Sequence, residues 1–197
     1  MKITRVLSLT MAIVALSAFA STTLNAQQID VSASTVKWTG YHLAKSYEHY
    51  GNIKVKSGEI IMKDGALTAG NIVIDMTSIS NTDLEDAKKN QNLVKDLKSE
   101  RFFYVEEYPE ASIRITKVES SGSSQYNVAA EIQIRGIKQN IEFTLNRSTA
   151  DGKTVLSGKL EVDRIKHEVN YGWTIENAML SNTFDLDVHI VLSEQQN

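Results

Sequence analysis

Four histidines and the adjacent carboxylates Glu106 and Glu107 are the side chains of this 197-residue sequence weighed for reaction chemistry. His42, His49, His167 and His189 could each act as a base or a metal ligand. His167 is followed by Glu168, which makes half of a metal site, but no second pair of ligands stands nearby, so the bland reading wins. His42 keeps step with Trp38 and is expected to face inward; His49 and His189 are expected to be wet. Glu106 and Glu107 precede Tyr108. Neighbours on an extended segment point to opposite sides, so the two carboxylates cannot share one scissile bond, and they read as a solvated edge. The sequence has no Gly-x-Ser-x-Gly, phosphate loop, Gly-x-Gly-x-x-Gly or His-Glu-x-x-His. It has no cysteine, which removes thiol nucleophiles, thiolate metal sites, disulfides and attachment of a lipid through a cysteine. The expectation is a protein that is not an enzyme, with no metal and no cofactor.

Arg164 is the one charged residue that falls on an apolar phase. It continues the register of Leu156, Leu160 and Val162. A guanidinium inside an apolar face is costly unless it is paired. It must meet a carboxylate, line water or receive an anion, and a salt bridge near the end of the sheet is preferred over an anion site.

The elements around these residues are strands. Trp38 and His42 alternate with Lys37, Thr39 and Tyr41, and Ile53 and Val55 alternate with Lys54 and Lys56. The same period joins Ile72, Ile74 and Met76; Ile113 and Ile115; Val128, Ala130, Ile132 and Ile134; Ile141, Phe143 and Leu145; and Phe184, Leu186, Val188 and Ile190. Strict alternation marks antiparallel sheet with one buried face. Turn signals at Asp64-Gly65, Gly122, Arg135-Gly136 and Asp151-Gly152 give eight or nine strands at hairpin spacing. That pattern needs a two-sheet sandwich or a closed barrel, and periodicity does not choose. One segment departs. Leu84, Ala87, Gln91, Val94 and Leu97 stand near helical spacing behind a Thr82-x-x-Glu85 capping box, which predicts a helix over about 82–98.

The N-terminus has Lys2 and Arg5, an apolar run from Val6 to Ala20, and then small and polar residues. This is the order of a secretory signal peptide, with the apolar run short for a membrane span. Ala18-Phe19-Ala20 and Leu24-Asn25-Ala26 both suit cleavage. The second is preferred, giving a leader over 1–26 and one domain over 27–197, periplasmic or secreted. The leader holds two bases and no acid, so its loss makes the formal charge of −3 more negative. An acidic domain without a basic cluster argues against nucleic acid and against electrostatic attachment to an anionic bilayer.

Several segments together carry a resemblance: "STVKWTGYH", "SGEIIMKDGALTAGNIVIDMTSI", "LKSERFFYVEEYPEASIRIT", "YNVAAEIQIRGIKQNIEF" and "DRIKHEVNYG". In content and order, over about residues 28–192, the chain resembles the YceI-like family of exported polyisoprenoid-binding proteins. The paired phenylalanines with Tyr108-Pro109 and the Asp163-Arg164 … Tyr171-Gly172 block are the most specific parts. The resemblance implies an all-β fold, an extended antiparallel barrel of about eight strands, lipocalin-like, with the helix at one end. It implies a long isoprenoid lipid, of quinone or polyprenyl type, in the bore. The residues expected against that ligand are Trp38, His42, Ile53, Met62, Ile74, Met76, Phe102, Phe103, Ile113, Ile132, Phe143, Leu160, Arg164, Tyr171 and Leu186. Phe102 or Phe103 is expected to plug the helix to the barrel. The family often has an aspartate after the paired phenylalanines, where this chain has Tyr104. Burying one isoprene unit would yield about 4 kcal/mol gross, most of it absorbed by ordering costs. A homodimer is left open.

Overall fold

The computed structural model describes residues 24–170 and 174–193, apart from the side chains at 45 and 176. Nine strands follow one another as β1 (Leu24–Gln28), β2 (Thr35–His42), β3 (Glu48–Lys63), β4 (Ala66–Asp75), β5 (Glu110–Ser120), β6 (Gln125–Ile134), β7 (Ile137–Ala150), β8 (Lys153–Asp163) and β9 (Leu180–Val191). One helix of three turns, α1 (Ala87–Lys98), joins β4 to β5.

All pairings are antiparallel, and the order β3-β2-β9-β8-β7-β6-β5-β4 returns to β3. Eight strands therefore close into a barrel, and no sandwich is formed. β3 makes the closure. It runs for 16 residues and serves two neighbours along one edge, β2 through 48–53 and β1 through 59–63. Register shifts in its pairing with β4, at Val55/Ser57 and Ile61/Met62, bend it around the barrel. Three hairpins turn on Asp64-Gly65, Arg135-Gly136 and Asp151-Gly152, with both residues of each pair at positive φ. That backbone twist matches the twist of the flanking strands.

The alternation becomes the core. Val36, Trp38, Ile53, Val55, Ile74, Ile113, Ile132, Leu160, Val162, Leu186 and Ile190 are all buried. An eight-stranded barrel has an interior that side chains fill or that holds one small ligand. Here side chains fill one end, and the other keeps open space.

The helix begins later than the sequence predicts. Thr82 caps nothing. Its N–H donates to the Tyr50 carbonyl, the Ser80 N–H donates to that of Asn52, and the Asn81 amide also reaches Tyr50. These bonds hold 80–83 against the first half of β3, where β4 does not reach. Asp86 is the cap instead, its carboxylate accepting from the Lys89 N–H at 2.8 Å. Leu97, on the predicted stripe, packs against the core with Leu93, while Gln91 is exposed.

Past residue 143, β7 pairs with β8, but 137–143 does not. The turn at Ile165–His167 fills this splayed corner. The His167 ring lies at 3.1 Å from the Ile137 carbonyl, the Gln139 amide donates to the Lys166 carbonyl, and the Arg135 guanidinium donates to the Glu168 carbonyl. His167 is 1% exposed, and burial pushes its pKa below the ordinary 6.5. It is a structural wedge, held neutral.

Candidate lipid-binding cavity

The end of the barrel under α1 is hollow. A cavity of about 100 Å³ is walled by Trp38, Ile53, Ile79, Leu93, Leu97, Phe102, Phe103, Leu180 and Phe184, with His42, His49 and Arg164 also in its lining. Deeper in the barrel a second space of about 30 Å³ is lined by Val36, Ile74, Met76, Ala111, Ile113, Ile132, Ile134 and Leu186. Ile53, Phe103 and Phe184 belong to both walls and form the partition between them. Walls of this kind offer shape and dispersion and almost no hydrogen bonds, so they suit a hydrocarbon and not a sugar or a peptide.

Each wall has a local cause. Phe103 is set by the turn after α1, where the N–H groups of Phe103, Tyr104 and Val105 return to the carbonyls of Leu97, Ser99 and Lys98. Tyr104 takes a left-handed conformation, φ 46°, to make that reversal. The reversal drives Phe103 down into the barrel, with Phe102 packed edge-on to it at 5.0 Å. Trp38 is fixed by its indole N–H, which donates to the Ser80 carbonyl at 2.9 Å. Gly51 lets the Ser80 segment lie this close, since a Cβ there would fall 1.8 Å from the Ser80 oxygen.

Arg164 is 3% exposed. Its Nε donates to the Ser181 carbonyl at 2.7 Å, its Nη1 to the Val169 carbonyl and the Asn177 side chain, and its Nη2 to the Asn177 carbonyl. The guanidinium therefore ties the loop before β9 to the barrel end, and a bound anion would have to displace these bonds. His49 is not simply wet. Its Nδ1 lies 2.7 Å from the Asp83 carboxylate, and its ring sits in the cavity wall. Burial acts to raise the Asp83 pKa, but the Tyr50 N–H, His49 and the Asn81 amide outweigh it and hold the carboxyl below its usual range. Phase alone could not find this pair, because its members are 34 positions apart.

Of the residues expected against a ligand, Trp38, His42, Ile53, Phe102, Phe103 and Arg164 come together in the first cavity. Ile74, Met76, Ile113, Ile132 and Leu186 meet in the second. Met62 and Leu160 are buried but line neither. Phe143 is half-buried beside a polar hollow formed with Lys117, Glu119, Asn127 and Glu142. Tyr171 lies outside the described residues. Glu106 and Glu107 are exposed, as is His189. Among the described residues no three histidine or carboxylate groups converge as a metal site, and no helix is long and apolar enough to cross a membrane.

Comparison with known proteins agrees with this architecture. The barrel is similar to that of Burkholderia cenocepacia BcnA, at 17% identity and a TM-score of 0.69, covering 84% of this chain and 99% of that one. It is similar to a polyisoprenoid binding domain from Saccharophagus degradans implicated in plant cell wall breakdown, at 15% identity and a TM-score of 0.62, covering 88% of this chain and all of that one. A Campylobacter jejuni YceI protein is similar over 66% of this chain and 74% of its own, with a TM-score of 0.52 and 16% identity. At these identities the likeness is one of fold. No curated protein matches the sequence. The model of the YceI-like domain matches residues 27–192, nearly the whole of the described barrel, and the chain therefore belongs to the YceI-like family.

Proposed function

We propose that this chain is exported to the periplasm or secreted, and there acts, without catalysis, as a carrier for a long-chain isoprenoid lipid whose tail enters the barrel from the α1 end. The observation that carries the reading is the pair of apolar cavities stacked in one bore and divided by three side chains. The likeness to the S. degradans polyisoprenoid binding domain supports the ligand class. The two spaces are small for a long chain, so the reading requires the partition to move as the tail enters. Rotation of Phe103 and Phe184 about χ1 would join them, and packed aromatic rings give such a path a closed resting state.

A second reading, an envelope protein that uses the same barrel for interaction and holds no lipid, draws on the far end of the bore. There Ile60, Met62, Leu67, Tyr126, Leu145 and Leu156 are all buried and leave neither cavity any floor to extend into. Organic extraction of the purified protein, followed by mass spectrometry, separates the two. A co-purified isoprenoid at near-equimolar amount is the expected result, and clean protein that also refuses added polyprenol excludes the carrier role. Intact-mass measurement of the exported protein tests the leader. β1 spans Leu24–Gln28, so cleavage after Ala26 would fall inside it, whereas cleavage after Ala20 would keep those five residues.

A further inference from the structure

Among the described residues, most large apolar side chains that remain exposed gather at one place. Leu43 is 56% exposed, Tyr47 50%, Ile175 80% and Met179 49%. All four stand on the rim of the first cavity. Leu43 follows His42 and Met179 precedes Leu180, and both of those neighbours line the cavity. The Tyr47 ring packs edge-on against His42 at 5.2 Å and against His49 at 4.8 Å. The two rim loops are joined directly, since the Leu43 N–H donates to the Met179 carbonyl at 2.7 Å. Ile175 sits one helical turn before Met179, whose N–H bonds back to it, so both side chains share a face.

The barrel does not need these side chains where they are. Ala44, between Leu43 and Lys45, is held at φ 57°, a left-handed conformation that a Cβ disfavours. A strained turn that presents a leucine to water is better explained by an apolar phase outside the protein than by the fold. Its chemistry can be narrowed by charge. Among the described side chains, Arg164 is the only lysine or arginine in the cavity lining, and its Nε and Nη1 donate to the Ser181 and Val169 carbonyls. Exposed leucine, isoleucine and methionine around such a mouth match acyl chains.

We propose that this rim docks on the surface of a phospholipid bilayer by shallow insertion of Leu43, Ile175 and Met179, placing the cavity mouth against the acyl layer so that cargo passes without crossing water. The proposal rests on the carrier reading for its purpose, but the docking is a separate property. Insertion of this kind is driven by apolar burial, so it is insensitive to salt and needs no anionic lipid.

The test is flotation of the exported protein, without its leader, with vesicles of phosphatidylcholine alone, in low and high salt, beside the variant Leu43→Ser/Ile175→Ser/Met179→Ser. Tyr47 is kept because its ring supports two cavity residues. Exposed positions tolerate such changes, and circular dichroism and thermal melting check the fold. Wild-type protein is expected to float equally in both salts, and the variant to lose about tenfold or more in apparent affinity. A second arm loads a polyprenol from detergent with no membrane present, where both proteins should retain equal amounts, and then follows transfer from vesicles, where the variant should be slower by a similar factor. Wild type that does not float, or a variant that floats or takes cargo from vesicles as well as wild type, overturns the proposal. Self-association that disappears in the variant, with no flotation by either protein, assigns the rim to a second copy of the chain and also overturns it. Flotation lost in the variant while neither protein loads polyprenol supports docking and removes the carrier reading alone.

Discussion

Phe103 and Phe184 meet edge to face inside the barrel, their ring centroids 6.1 Å apart and their planes at 81°. The first comes from the turn after α1 and the second from the start of β9, so the contact joins the capping element to the barrel wall. Both rings border the two cavities. They decide whether the bore is one space or two.

Truncating the partition should therefore trade stability for capacity. Phe103→Ala is expected to cost about 3–5 kcal/mol in urea unfolding, and Phe103→Leu less. With Phe103→Leu, still folded, the barrel should retain longer isoprenoid alcohols than wild type in a chain-length series. Unchanged chain-length preference would show that the ring does not gate the bore.

Gly51 allows the Ser80 segment to lie across β3. Gly51→Ala puts a carbon 1.8 Å from the Ser80 oxygen, so one backbone must move and the Trp38 indole loses its acceptor. A loss of more than about 2 kcal/mol is expected by urea unfolding, large for the addition of one methyl group. Trp38→Phe should cost less, and in the Gly51→Ala background it should cost less again, since the bond it removes is already broken.

Arg164 holds the loop before β9 through neutral acceptors, so its geometry matters along with its charge. Arg164→Lys keeps the charge but presents a single ammonium where the guanidinium spans several oxygens. Faster amide exchange at Ala178 and Met179 is expected, with a stability loss of about 2 kcal/mol or more from buried carbonyls left without donors. If Arg164→Lys matched wild type in both measurements, the guanidinium would not be the clamp.

His167 gives the fold a one-sided pH dependence. Burial holds its pKa below the ordinary 6.5, so the folded state prefers the neutral ring. The stability owed to neutral His167 is complete above 6.5 and declines as pH falls below it, because the unfolded chain then binds a proton that the folded state resists. Thermal melting from pH 7.5 down to 5.5 should show Tm falling. In His167→Gln the fall should be shallower, from a lower starting Tm. An equal slope in both proteins would place the titrating group elsewhere.

Strand character was legible because it is local. Alternation of apolar and polar residues along a pleated chain assigns each side chain a face before any partner is known. It placed Ile53, Ile74, Ile113, Ile132 and Leu186 inside, and they are inside. The predicted helix exists but starts later, because Thr82-x-x-Glu85 is a good cap in isolation and loses to hydrogen bonds from a strand 32 residues earlier. The local pattern leaves His49 wet for the same reason, since its partner Asp83 arrives through that same docking.

The residue pattern by itself determined an antiparallel sheet, its inward face and its hairpins, since each follows from backbone stereochemistry and residue type. Only the tertiary structure decided that β3 bends to meet β1, β2 and β4 and so closes a barrel, that the bore is hollow at the α1 end and packed at the other, and that Phe103 and Phe184 divide the hollow. These depend on contacts between residues far apart in the chain. Alternation states which way a side chain points, but not how much room it meets there.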